Sequence, residues 1–272
     1  MPVSNAIHGG KSWRKLQPRT ELLQWLGWLA LVALFMFCWQ IMTKDTIWAF
    51  VQDAPRQGGD ILTRAFPPRL SYVSELLVPL WDTLNMATLG TLAGTMLAVP
   101  IAFLAARNTT PSLLFLRPIA LFLIVASRSI NSLIWALLLV SILGPGLLAG
   151  IIAIALRSIG FVGKLLYEAI EEIDQSQVEA VEATGASRMQ VIDYAIVPQV
   201  LPSFLGMTVF RWDINIRESA ILGLVGAGGL GLKLQSSLNM LAWPQVTTIF
   251  ILVLATVIVS EWISAAVRKV IM

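Results

Sequence analysis

Six stretches of this chain are apolar over the length of a bilayer core, and no other feature restricts its fold as severely. A helix needs about 17–25 predominantly apolar residues to cross the hydrocarbon. Leu22–Met42, Thr83–Ala106, Leu147–Gly163, Ser203–Leu224 and Val246–Val267 fall in that range, and Leu113–Leu143 exceeds it. The long third run is interrupted by "SRSINS", so it is one tilted or broken helix, or two short spans. Composition agrees: 57% of residues are hydrophobic, 13% are charged and the mean hydropathy is +0.77. The expected fold is an all-α integral membrane protein, with a polar tail over residues 1–21 and one transmembrane domain over residues 22–272.

Basic residues set the orientation. Lys11, Arg14, Lys15 and Arg19 precede the first span, Arg107 follows the second, and Arg268 and Lys269 end the sixth. Lys and Arg favour the cytoplasmic side, and an even count of six crossings places all three groups there, with both termini cytoplasmic. The connection over residues 164–202 then also faces the cytoplasm; its excess of acids does not overturn this, since Asp and Glu contribute little to topology. The first span exceeds a signal-peptide core and no A-x-A site follows, so it is retained as an anchor. The net charge of +3 and pI near 9.2 come from residues scattered at span ends, which argues for membrane topology and against nucleic acid. One cysteine, Cys38, and one histidine, His8, exclude an intrachain disulfide and a His-based metal site, and no metal ligand set is expected.

The polar connection has its own pattern. Ser176-x-x-Glu179 fits a capping box and starts a helix from Gln177 to about Thr184. Gly185 supplies a left-handed stop. Ser187-x-x-Gln190 repeats the start signal, Met189, Ile192 and Ile196 recur at helical spacing, and Pro198 ends the element. Two helices this short cannot bury themselves and need a partner surface. Further on, "GAGGLG" at Gly226–Gly231 matches G-x-G-x-x-G, but no strand precedes it and Leu232 and Lys233 stand where a P-loop needs Lys and Ser or Thr. Gly223, Gly226, Gly228, Gly229 and Gly231 are better read as a bent, non-helical gate or loop at the outer end of the fifth span, where irregular backbone stays hydrated. No nucleotide site is present in the sequence, so any energy source is a partner.

Charges within spans cost at least about 2.5–3.5 kcal/mol at mid-bilayer and must face protein or water. Arg128, Arg211, Asp213, Arg217 and Glu218 are so placed. Asp213 pairs with Arg217 four residues on, and Arg211 shares a face with Glu218. These five charges form either a structural network or, with Ser129, Asn131 and Ser132, the lining of an anion pathway; Arg128, flanked by those three, is then the unbalanced charge and the anion contact. Arg157 reads as an interfacial or coupling-loop contact.

Glu179-Ala180, Gly185 and Pro198 at these spacings resemble the EAA loop of ABC importer permeases, the cytoplasmic element that docks on the ATPase. Val181, Ala195 and Val197 depart from the usual residues but keep small or apolar character. "FPP", "NTTP", "INSLIWALLLV", "GASRMQV", "VPQVLP" and "WDINIRESAILGLVGAGGLG" resemble the phosphonate permease branch from about Pro67 onward. The resemblance implies a type I ABC importer permease fold of six transmembrane helices with a cytoplasmic helix-bend-helix coupling loop in a bacterial inner membrane. It implies ATPase coupling through Glu179, Ala180, Ala183, Gly185, Ala186, Ser187 and Pro198. It also implies a homodimer, two ATPase copies that use ATP and Mg, an extracytoplasmic binding protein, surrounding lipid, and no cofactor on this chain. The ligand is then phosphonate, phosphite, hypophosphite or phosphate. A permease for another small solute, or a secondary transporter or channel for anions, would use the same buried charges, but the latter leaves residues 176–202 unexplained. A membrane enzyme would need convergent catalytic groups, and none can be assembled.

Overall fold

The computed structural model describes the backbone of residues 3–5, 11–13 and 18–271, with side chains from Arg19 onward. His8, Arg14 and Lys15 lie outside the described residues, as does the side chain of Lys11. Val3–Asn5 pairs antiparallel with Lys11–Trp13. All other regular structure among the described residues is helical. The chain divides into two units, Met1–Asp60 and Ile61–Met272.

In the first unit α1, Pro18–Lys44, is apolar on every side and its large apolar side chains are all exposed. Its 27 residues rise about 40 Å, enough to cross a hydrocarbon core of about 30 Å. Helix α2, Trp48–Ala65, follows after three residues. The stretch lies between the first two apolar runs and is rich in charged residues, yet it is an amphipathic helix that begins in the first unit and ends in the second.

The second unit contains α3 (Val73–Ala105), α4 (Leu116–Ser129), α5 (Ser132–Leu143), α6 (Leu147–Glu171), α7 (Gln175–Glu182), α8 (Arg188–Val191), α9 (Val197–Leu222), α10 (Gly229–Asn239) and α11 (Trp243–Ile271). Helix α3 starts ten residues before the expected span and α6 runs eight beyond it. Hydropathy marks bilayer depth, whereas a helix continues through polar turns such as Ser74-Glu75 and through the Lys164–Glu168 pair at 3.4 Å. Five helical stretches are long and apolar enough, by length and composition, to cross a membrane, and the count reaches six if the bent pair α4–α5 crosses as one span. The pair turns by 89° at Ile130–Asn131, which resolves the third apolar run as broken. With 14 and 12 residues, its halves rise about 21 and 18 Å, too short to cross singly.

Helices α3 and α6 form the spine. A Cβ on Gly94 would lie 2.6 Å from the Ala155 carbonyl oxygen and from Ser158 Cβ, so the Gly90-x-x-x-Gly94 spacing permits backbone contact with α6. At one end of the spine Ala102, Leu166, Ile170, Val178, Val191 and Ile196 form a buried cluster that anchors α7 and α8 on α3, α6 and α9.

Three expectations change around residues 174–239. Helix α7 is capped by Asp174, whose carboxylate accepts from Ser176 N at 2.9 Å; Ser176 is not the cap because its hydroxyl donates to the same carboxylate at 2.7 Å. These bonds hold the Asp174 carboxyl below the usual range. Pro198 does not end the second helix. A π-helical stretch, Ile192–Ile196, joins α8 to α9, and Pro198 sits in the first turn of α9, where a missing N–H breaks no bond. The glycine segment is bent at Gly226, Gly228 and Gly229, which have φ of +94°, +90° and +68°, but Gly229 already begins α10. Gly223 and Gly231 are not part of a flexible loop: they pack backbone against backbone, with a Cβ on Gly223 falling 2.6 Å from Gly231 Cα.

Candidate functional site

Two regions gather the residues expected to act. The first is the elbow α7–α8. Gly185, with φ +80°, turns the chain between the two helices, and no other atom lies within 4 Å of where its Cβ would be. Ser187 and Gln190 close the second helix start reciprocally, Ser187 N donating to Gln190 Oε1 at 2.8 Å. Glu179, Ala180, Ala183, Ser187 and Pro198 are exposed and Ala186 is half-buried. Exposed Met189 and Tyr194 extend the surface, and a cavity of about 630 Å³ opens beside Glu179, Glu182 and Arg188.

Polar bonds lock this elbow to the helix bundle. Arg188 Nη2 donates to the Thr109 and Thr110 carbonyls at 2.8 and 3.1 Å. Gln199 Oε1 accepts from Asp174 N at 2.9 Å, and Glu171 Oε1 accepts from Arg107 N at 2.9 Å and pairs with Arg117 at 3.5 Å. The loop after α3, the end of α6 and the start of α9 are therefore all tied to the elbow.

The second region is a charged seam where α4, α5, α6 and α9 meet. Arg211, 2% exposed, donates to Ser158 Oγ at 3.1 Å, lies over the Phe161 ring at 5.2 Å and pairs with Glu218 at 3.5 Å. Asn215 Nδ2 donates to Thr91 Oγ1 and Ser158 Oγ at 2.7 and 3.0 Å. Glu218 also pairs with Arg157 at 3.5 Å, and Arg157 Nη1 reaches Asn131 Oδ1 at 3.0 Å and Ser132 Oγ at 3.3 Å. Asn131 at the same time accepts from Leu133 N, capping α5 at the break.

The expected pairs are present, but their assignments shift. Asp213 pairs with Arg217 and accepts from Ser260 Oγ of α11 at 2.7 Å; Arg217 remains 46% exposed, away from the seam. Ser129 donates to the Val125 carbonyl of its own helix and is not drawn into the cluster. The polar partners of Arg157 are Glu218, Asn131 and Ser132, none of them in the elbow. Arg157 lies mid-way along α6 and bridges Glu218 to the break, a role that distance along the sequence does not reveal. Ser158, Asn215 and Thr91 are likewise legible only once α3, α6 and α9 are packed. Among the described residues Arg128 makes no hydrogen bond or ion pair. It lines a cavity of about 320 Å³ with Arg157, Phe161, Lys164, Leu165 and Glu168. Across the seam and the Asp213 pair, four arginines face two carboxylates, while Lys164 and Glu168 neutralise each other. Arg128, Arg157 and Lys164 line the cavity against one carboxylate, Glu168, and among the described residues no three Asp, Glu, His or Cys side chains gather to hold a metal.

Helices of membrane length around a buried charged seam, with a polar elbow fixed to one end, define a multi-pass transport subunit. The chain belongs to the family of binding-protein-dependent transport system inner membrane components, which matches residues 98–271. It is 37% identical over 90% of its length to the phosphite transport system permease protein PtxC of Stutzerimonas stutzeri, covering 88% of that protein. It is 40% identical over 85% of its length to the phosphate-import permease protein PhnE of Mycolicibacterium smegmatis, of which it spans 44%. The fold is that of ABC importer permeases: a chain of the inward-facing MetNI methionine ABC transporter superposes with a TM-score of 0.65 at 21% identity, over 75% of this chain and 99% of that one. A chain from a bacterial ABC transporter importing alginate gives 0.57 at 16% identity, over 90% and 99%.

Proposed function

We propose that this permease subunit carries a small phosphorus oxyanion inward, as one of two copies assembled with two ATPase subunits and an extracytoplasmic binding protein. The observation that carries this reading is the excess of guanidinium groups at the break between α4 and α5, in a chain whose relatives are named for phosphite and phosphate transport. Guanidinium groups stabilise an oxyanion through charge-assisted hydrogen bonds, and here Arg157 is half-buried while Arg128 is exposed along the cavity. Arg128 is the group free to do so, and Arg157, held by Glu218 and Asn131, shapes the opposite wall. Arg211, Asp213, Arg217 and Glu218 set the charge of the seam, while Asn131 and Ser132 keep the constriction hydrated. The bend at Gly226–Gly229 forms the outer rim of the pathway. The chain itself binds no cofactor; ATP and Mg serve the partner ATPase at the cytoplasmic elbow, and both termini lie on that side of the inner membrane.

Uptake of labelled phosphite and phosphate by reconstituted complexes tests the pathway. Loss of one charged hydrogen-bond donor removes about 1.5–3 kcal/mol, so Arg128→Gln and Arg128→Ala are expected to lower uptake roughly tenfold or more, with Arg128→Lys retaining part. Full uptake by both neutral variants would eliminate Arg128 from the anion path.

Coupling has a separate test. Gly185→Val forces a β-branched residue into the left-handed region in open space, so strain stays local to the elbow. Anion-stimulated ATP hydrolysis is expected to fall several-fold while membrane insertion is unchanged. Gly185→Asn, which tolerates that conformation, should retain most of it. Unaltered stimulation in both Gly185→Val and Glu179→Ala would rule the elbow out as the ATPase contact.

A further inference from the structure

Helix α2 has no assigned role, and its pattern is more specific than that of a connector. At 100° per residue, Phe50, Ile61, Val51, Leu62 and Trp48 fall in one arc of about 160°. Gln52, Arg56, Asp60, Asp53 and Arg64 occupy the opposite side. All five large apolar side chains are exposed, Phe50 at 65% and Leu62 at 63%.

We propose that α2 is an interfacial helix that lies flat in the outer leaflet, its apolar face in the acyl boundary and its charged face in water. Three observations select the membrane surface as the occupant of this face. The first is the tether: α1 ends at Lys44 and α2 begins at Trp48. Four residue steps reach at most about 14 Å, so the start of α2 cannot leave the interface at which α1 emerges. The second is intrinsic weakness. Pro55, Gly58 and Gly59 all disfavour a helix, so burial of the apolar face must sustain it. The third is charge. Asp53 and Asp60 balance Arg56 and Arg64, which gives the polar face no net attraction for anionic lipid or an oppositely charged partner. Insertion of the apolar face alone drives the placement, with Trp48 at the membrane end, where interfacial tryptophans concentrate. Assignment to the outer leaflet rests on the orientation proposed above; the interfacial seat does not.

Environment-sensitive labels test this in the assembled, reconstituted complex. Single cysteines are introduced in a Cys38→Ser background as Phe50→Cys, Ile61→Cys, Arg56→Cys and Arg64→Cys, each carrying bimane. Brominated phosphatidylcholine is expected to quench positions 50 and 61 several-fold more than positions 56 and 64. External iodide should show the reverse order, and addition of phosphatidylglycerol should leave both unchanged. Equal quenching of all four positions would overturn the proposal. Shielding of positions 50 and 61 from both quenchers would also overturn it, by placing a protein surface there. Quenching of 56 and 64 only by iodide trapped inside the vesicles would overturn the outer-leaflet assignment and the proposed orientation together, and brominated lipid would still report the seat separately.

Discussion

Replacing Gly231 by valine is expected to abolish recovery of monodisperse permease from the membrane. A Cβ at this position would collide with the Ala220 carbonyl oxygen and lie 2.7 Å from Gly223 Cα. Both contacts are backbone, so no side chain can rotate away, and α10 must separate from the end of α9. Overpacking of this kind costs about 1–3 kcal/mol where neighbours yield and more where they do not. Gly27→Ala in α1 is the control, because nothing lies within 4 Å of its Cβ position. Size-exclusion profiles and thermal stability in detergent read the difference; a wild-type profile for Gly231→Val would show that α9 and α10 are not locked together.

The second large effect is expected at Glu218. Its carboxylate faces both Arg157 and Arg211, so Glu218→Gln leaves two guanidinium groups without their counter-charge inside the bundle. Removing one partner of a buried pair costs about 3–5 kcal/mol, largely because the remaining charge is stranded. Glu218→Gln should therefore depress the melting temperature strongly. Adding Arg211→Gln should recover part of the stability by removing the more deeply buried of the two stranded charges, while uptake stays low. If the double variant is no more stable than the single one, the charges do not act as one unit.

What could be read from the chain follows from the range of each interaction. The apolar runs, Gly185 and the Ser187–Gln190 cap are governed by neighbours within a few residues, and the structure places each where local rules put it. The Asp213–Arg217 and Arg211–Glu218 pairs were legible for the same reason, being one and two helical turns apart. Arg157 was not, because its partners come from α5 and α9 and nothing near it in sequence marks the contact. Pro198 reads as a terminator in the sequence, but its cost depends on the register of the preceding turn, which the π-helical stretch Ile192–Ile196 alters. Helix α2 was hidden by a proline and two glycines that weaken local propensity without disturbing the amphipathic pattern.

The helical stretch Arg188–Val225 also has a mechanical meaning. It is unbroken over 38 residues, so it is about 57 Å long and exceeds the full thickness of a bilayer, about 40–45 Å. One end is the foot of the elbow and the other is the glycine bend. A rod of that length acts as a lever arm: pivoting by only about 5° at its foot sweeps the far tip through about 5 Å. In the pathway proposed above, so small a rotation at the elbow would reach the glycine bend as a displacement comparable to the width of a small ion.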